Sequence, residues 1–170
     1  EAVGDAAARG ATGRIVIKMN ALTDEPLMEA LLAAGQKGAK IDLIVRGACM
    51  LPAGVAGLSD NIRVRSVIGR FLEHSRVFYF CADQDESLYL SSADWMSRNM
   101  TRRIELAWPV TDPLLRQRII DECLIAYLHD GRDAWDLASD GQYHRVGLTA
   151  PGPGAQQALM QRYDASPVRE

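Results

Sequence analysis

A histidine lies between two arginines in Arg70-Phe71-Leu72-Glu73-His74-Ser75-Arg76, and this stretch leads directly into the apolar run Val77-Phe78-Tyr79-Phe80. A core strand rarely opens on so much charge unless the charge meets something, and the residue types point to phosphate. A guanidinium grips two phosphate oxygens at once and keeps its charge. An imidazole titrates near working pH, which suits proton donation to a leaving oxygen. Two further strand ends carry polar groups of the same kind. Arg46-Gly47 stops the apolar run from Lys40 to Val45, and Ser91-Ser92-Ala93-Asp94 closes the run Leu88-Tyr89-Leu90. The candidate phosphate contacts are therefore Arg46, Arg70, His74, Arg76 and Ser92, with His74 the candidate for proton transfer.

Each candidate also has a plainer role. Arg46 can end a strand in solvent, Arg70 and Arg76 can pair with Glu73 or Asp94, and Ser91 and Ser92 are turn formers. Asp94 reads as a turn cap or an orienting group, because a carboxylate beside phosphate repels it. Arg63 and Arg65 read as the solvated face of an edge strand, and Trp95 and Trp108 as core anchors.

The elements that must position these groups follow from apolar periodicity. Ile15 to Met19 is a β-branched buried strand that ends in Lys18-Met19-Asn20. Thr23 or Asp24 caps a helix with Pro26 in its first turn, and Gly35 and Gly38 end it. Lys40 to Val45 is a second strand. Strand, helix and strand in so short a span make a βαβ unit with a parallel pair. Lys18, Asn20 and Arg46 thus reach one edge of a sheet, the carboxyl edge where open α/β sheets bind ligands.

Ile62 to Ile68 alternates, Val77 to Cys81 and Leu88 to Leu90 form a hairpin about an acidic turn, and Arg103 to Trp108 alternates again. Asp112-Pro113 opens a long amphipathic helix with Leu115, Ile119, Cys123 and Tyr127 on its apolar face. Asp133 to Leu137 reads as a short helix or turn, Gln142 to Leu148 as a last strand, 149–154 as a linker and 155–163 as a helix with a fraying end. Residues 1–13, rich in Ala and Gly, read as a flexible tail or linker, and 14–170 as one domain.

The chain has 170 residues, enough for one domain with a sizeable core. A formal net charge of -3 excludes a general polyanion binder and gives no reason to expect a nucleic-acid partner, so any anion site is a local cluster. No apolar run approaches the roughly 20 residues of a membrane helix. Cys49, Cys81 and Cys123 show neither pairing nor metal spacing and read as buried thiols of a reducing cytosol. Walker, dinucleotide-glycine and zinc motifs are absent from the sequence.

In shape, the His74 and Ser92 stretches resemble the phospholipase D superfamily motif, His-x-Lys, an acid, then Gly-Ser-x-Asn after a strand. Arg76 stands for the Lys, Ser92 for the Ser and Asp94 for the Asn, while Cys81 occupies the place of the acid. A closer resemblance runs in unbroken order over roughly residues 14–130. Lys18-Met19-Asn20-Ala21-Leu22, Lys40-Ile41-Asp42-Leu43-Ile44-Val45-Arg46-Gly47, Asn61-Ile62-Arg63-Val64-Arg65-Ser66, Gly69 through Arg76 and Ser91-Ser92-Ala93-Asp94-Trp95-Met96 are similar to the polyphosphate kinase family, specifically to its C-terminal catalytic domain.

The resemblance implies an α/β, phospholipase D-like domain, a mixed β-sheet flanked by α-helices, within a larger multidomain chain. It implies reversible transfer of the terminal phosphate of ATP to inorganic polyphosphate through a phosphohistidine in a preceding domain. Arg46 then binds nucleotide phosphates, and His74 is a second essential histidine that is not itself phosphorylated. The expected cofactor is Mg2+, with its ligands in the preceding domain. Expected partners are ATP or ADP, polyphosphate, the other domains of the same enzyme and a second copy of the full-length protein. The expected location is cytoplasmic, with membrane association open to the full-length enzyme, and the domain alone is expected to be nearly inactive. Two other readings remain: a phospholipase D-like phosphodiesterase, and a non-catalytic module that binds polyphosphate or nucleotide.

Overall fold

The computed structural model describes residues 2–9, 13–147 and 152–164. Eight strands form one mixed sheet in the order β6-β5-β4-β1-β2-β3-β7-β8. The strands are β1 (Gly13–Met19), β2 (Lys40–Val45), β3 (Ile62–Val67), β4 (Val77–Ala82), β5 (Asp85–Ser91), β6 (Ala107–Pro109), β7 (Ala134–Leu137) and β8 (Tyr143–Arg145). β1, β2 and β3 are parallel, and every other neighbouring pair is antiparallel. This is the mixed α/β class expected, and strand alternation gives it two apolar faces.

One face carries Ile15, Ile17, Met19, Leu43, Val45, Val64 and Phe78. It is covered by helix α2 (Glu25–Gln36) through Leu31 and Ala34, and by α1 (Ala2–Ala8) through Ala6. The other carries Val16, Ile44, Val67, Val77 and Leu88, packed by Leu124, Tyr127, Leu128 and Ala155. These last residues belong to a helical run and to the final helix. After a short helix α3 (Ser97–Thr101) between β5 and β6, the run is α4 (Pro113–Ile119), a π-helical stretch Ile120–Ile125 and α5 (Ala126–Leu128), and the final described helix is α6 (Ala155–Asp164).

Helix α2 starts where its chemistry says it should. The Asp24 carboxylate accepts from the Leu27 amide at 3.3 Å, and proline occupies the first turn. Asp112 caps α4 in the same way, accepting from Leu115 at 2.9 Å. The β4–β5 hairpin turns at Asp83, whose φ is 59°, a conformation Asp tolerates better than most residues.

Several elements depart from expectation. Within the stretch read as a tail, α1 forms over Ala2–Ala8 and buries Ala6 to 1% exposure. Small side chains let it lie close on the sheet and on α2. β3 is no edge strand, because β7 pairs with its far side. Arg65 is consequently buried, with its guanidinium forked onto Asp136 at 2.7 and 3.0 Å and onto the carbonyls of Leu128 and Asp130. Arg63 is exposed and held by Asp42. The stretch Asp133–Leu137, expected as a short helix or turn, holds strand β7, where pairing to β3 decides an ambiguous four-residue signal. Ile104, Leu106 and Trp108 alternate, but only Ala107–Pro109 is strand and all three side chains are exposed. Trp95, by contrast, is a core anchor set edge-on to Phe78 at 5.5 Å. The three cysteines are unpaired and half-buried. The last expected strand is present over Tyr143–Arg145, while Leu148, residues 149–151 of the expected linker and the final residues 165–170 lie outside the described residues.

Candidate functional site

Topology brings the candidate residues to one edge. β1, β2 and β3 run their carboxyl ends to it, delivering Lys18, Asn20 and Arg46. β4 is antiparallel to β1, with Val77 opposite Lys18, so the lead-in His74-Ser75-Arg76 starts from the same edge. β5 runs back alongside β4 and exits there, with the Ser91 amide donating to the Arg76 carbonyl at 3.1 Å. Past β5 the chain crosses to β1, where the Trp95 amide donates to Ala21 and Thr23 donates to Trp95. That crossing lays Asp94 against Asn20.

Asp94 is the hub of the edge. One of its oxygens accepts from the Asn20 amide at 2.7 Å, the Asn20 side chain at 3.2 Å and Arg76 Nε at 3.1 Å; the other accepts from Arg76 Nη2 at 2.9 Å. Burial pushes the Asp94 carboxyl up, but the bonds from Arg76 and Asn20 outweigh it and hold the group below the usual carboxylate range. Asn20 passes the order on, because its Oδ1 accepts from Arg46 Nε at 3.2 Å. Gly47 permits this approach: its amide donates to the Asn20 carbonyl at 2.8 Å, and a Cβ there would sit 2.9 Å from that oxygen.

The two arginines of this chain of contacts are left in different states. Arg76 is committed, with two nitrogens on Asp94 and Nη1 donating to the His74 carbonyl at 3.0 Å. The same guanidinium lies 3.1 Å from His74 Nδ1 and 3.3 Å from Nε2. A neutral imidazole has one acceptor nitrogen, so it meets one of these donors at a time. Arg46 uses only Nε, and among the described residues its Nη groups have no hydrogen-bond partner. They are free to fork onto phosphate oxygens. Arg70 is exposed on the loop that carries His74, with its guanidinium over the Phe71 ring. Ser92 is at the edge, but its hydroxyl donates to Glu105 and accepts from the Leu106 amide at 2.9 Å.

Under the edge lies a polar network that sequence patterning does not reveal. Lys18 is 3% exposed, bonded to Glu73 at 2.8 Å, with its ammonium 3.4 Å from the centre of the Tyr127 ring. Burial lowers the Lys18 pKa despite the carboxylate beside it. Burial pushes Glu73 up, but Lys18, Tyr127 and Gln156 donate to it and hold it below its ordinary value. Lys18, Asn20, Arg46, Glu73, Ser75 and Tyr127 line one narrow cleft. The only hint of this in the sequence is a lysine interrupting a buried strand. Among the described residues no group of three or more His, Cys, Asp or Glu could hold a metal. Glu73 and Asp94 are also saturated by cations and amides. These side chains therefore do not fit a magnesium site.

The match that decides the family is to the model of polyphosphate kinase C-terminal domain 2, over residues 2–157. The chain belongs to the polyphosphate kinase family. It is 50% identical over 159 residues to the polyphosphate kinase of Burkholderia multivorans, covering 94% of this chain and 23% of that protein. The crystal structure of polyphosphate kinase from Porphyromonas gingivalis superposes with a TM-score of 0.88 at 36% identity, over 96% of this chain and 26% of that one. NucT from Helicobacter pylori shares the fold at a TM-score of 0.50 and 12% identity, over 73% of this chain and 87% of that one. The chain thus spans about a quarter of the length of the polyphosphate kinases it matches.

Proposed function

We propose that this sheet edge is one half of a phosphoryl-transfer site that moves the terminal phosphate of ATP reversibly onto inorganic polyphosphate. The observation that supports this best is the single chain of contacts His74–Arg76–Asp94–Asn20–Arg46, which ends in a guanidinium with two nitrogens unused among the described residues. Phosphoryl transfer relies on positioning and charge stabilisation rather than on covalent chemistry by many groups. In this reading Arg46 grips nucleotide phosphate, His74 exchanges a proton with a phosphate oxygen, and Arg76 orients His74 instead of competing for substrate. Arg70, exposed on the same loop, meets the polyphosphate chain, and Ser92 reaches phosphate only by exchanging its bond to Glu105. The phosphorylated histidine, the adenine pocket and any magnesium ligands belong to other parts of the enzyme, so these residues alone support little turnover.

The domain of this reading starts at α1 rather than at residue 14, which the burial of Ala6 supports. No helix among the described residues is long and apolar enough to cross a membrane. The reading places the enzyme in the cytoplasm, free or held at a membrane through other segments, and working as a homo-oligomer.

The test is equilibrium binding of tripolyphosphate and ATP over a salt series. Arg46→Ala should weaken both ligands and flatten the salt dependence, since one phosphate contact is lost. Arg76→Ala should weaken them less. Equal affinity and equal salt slope in Arg46→Ala would remove Arg46 from the site.

A further inference from the structure

We propose that Gln156, in the first turn of α6, is the positioning residue that sets the His74 loop over the sheet edge. The proposal rests on the reading of His74 as a phosphoryl-transfer residue. The segment between β3 and β4 has no helix or strand of its own. Its apolar side chains do not anchor it either, since Phe71 is 49% exposed and Leu72 72% exposed. Its side-chain anchors are Glu73, bonded to Lys18 and Tyr127, and Arg76, bonded to Asp94, while Gln156 holds its backbone. The side-chain oxygen accepts from the Phe71 amide at 2.8 Å, and Nε2 donates to the Phe71 carbonyl at 2.9 Å, so one carboxamide closes both backbone groups of one loop residue. The same Nε2 donates to Glu73 at 2.7 Å, one residue before His74.

Gln156 is itself fixed. It is 6% exposed, and the α6 N-terminus is tied down by Asp130, whose carboxylate accepts from the Ala155 amide at 2.7 Å. The other Asp130 oxygen accepts from the amides of Arg132 and Asp133 at 2.8 and 2.7 Å. The loop approaches so closely that a Cβ on Gly69 would lie 2.5 Å from the Gln156 side-chain oxygen. A buried amide with all these bonds directed at one exposed loop fixes geometry and not merely packing. Helix α6 thus sets the position of His74 through the backbone of Phe71 and the carboxylate of Glu73.

The experiment uses the whole protein that carries this chain, with Gln156→Ala, Gly69→Ala, the double variant and His74→Ala as a control. The first readout is carbethoxylation of His74 by diethyl pyrocarbonate, mapped by mass spectrometry with His129 and His144 as internal references. Release of the loop should raise the His74 rate several-fold in both single variants while the reference rates stay constant. The second readout is steady-state polyphosphate synthesis. Misplacement of His74 should cut kcat by about tenfold to a hundredfold, with a smaller change in KM for ATP. The double variant should be no worse than Gln156→Ala, because the smaller side chain leaves room for the new Cβ.

An unchanged His74 modification ratio in Gln156→Ala, with or without a lower melting temperature, overturns the proposal. Unchanged kcat in His74→Ala would instead overturn the phosphoryl-transfer reading, and the modification ratio would still decide the role of Gln156.

Discussion

Asp94→Asn is the sharpest perturbation of the edge, because it keeps the shape while removing the charge and turning one acceptor oxygen into a donor. Asp94 accepts four hydrogen bonds, two from Asn20 and two from Arg76. The amide can keep the Asn20 contacts through Oδ1, but it then turns its NH2 toward the guanidinium. The Arg76 and Asp94 side chains are 12% and 11% exposed, so water replaces little of what is lost. A bond to a charged group contributes roughly 1.5–3 kcal/mol, and breaking a fully buried pair costs roughly 3–5 kcal/mol. A loss of about 3 kcal/mol at neutral pH is therefore expected, or about 10 °C in melting temperature for a chain of this size.

The pH dependence has a definite sign. Despite the opposing pull of burial, the folded-state Asp94 pKa is lowered by Arg76 and Asn20. Its stabilising contribution is then complete above the unfolded value of about 3.9 and is lost as pH falls through the folded value. Guanidinium chloride unfolding of parent and Asp94→Asn at about pH 7 and about pH 3 measures both effects. A deficit under about 1 kcal/mol at neutral pH, or one that does not narrow in acid, would show that Asp94 is not the hub described.

Other positions give independent tests. Lys18→Met should destabilise by about 3 kcal/mol because it leaves the Glu73 carboxylate buried without its cation, and denaturant midpoints would register it. Arg65→Lys should cost about 2 kcal/mol, since an ammonium cannot reproduce the fork onto Asp136 together with two backbone carbonyls; a thermal melt matching the parent would contradict that. Asp112→Ala removes the α4 N-cap and should cost about 1 kcal/mol, with little effect on ligand binding at the distant edge.

What the sequence makes legible here is what periodicity and caps encode. The βαβ unit is readable because Ile15 to Met19 and Lys40 to Val45 are apolar runs separated by a capped helix. Its parallel pairing then places Lys18, Asn20 and Arg46 at one edge, as found. The π-helical stretch at Ile120–Ile125 is hidden, because its apolar positions fit an ordinary helix equally well. The strand at Ala134–Leu137 is hidden too, since four residues carry too little pattern and only pairing with β3 selects the extended form. Arg65 shows the limit most clearly. Alternation marks it as facing away from Val64, but whether that face meets water depends on a partner strand some 70 residues later. The same holds for Gln156 and Lys18, whose partners come from distant parts of the chain. The apolar face of Ile104, Leu106 and Trp108 is patterned as though buried and is exposed in this structure.

The roles of His74 and Arg46 are tested most directly by ATP-dependent polyphosphate synthesis with the whole protein carrying this chain, comparing parent, His74→Ala and Arg46→Ala at matched folded concentration. His74→Ala should abolish synthesis without changing the melting temperature, its ring being exposed, and Arg46→Ala should lower kcat/KM for ATP by at least about a hundredfold. Parent-like synthesis in His74→Ala would contradict the role of His74.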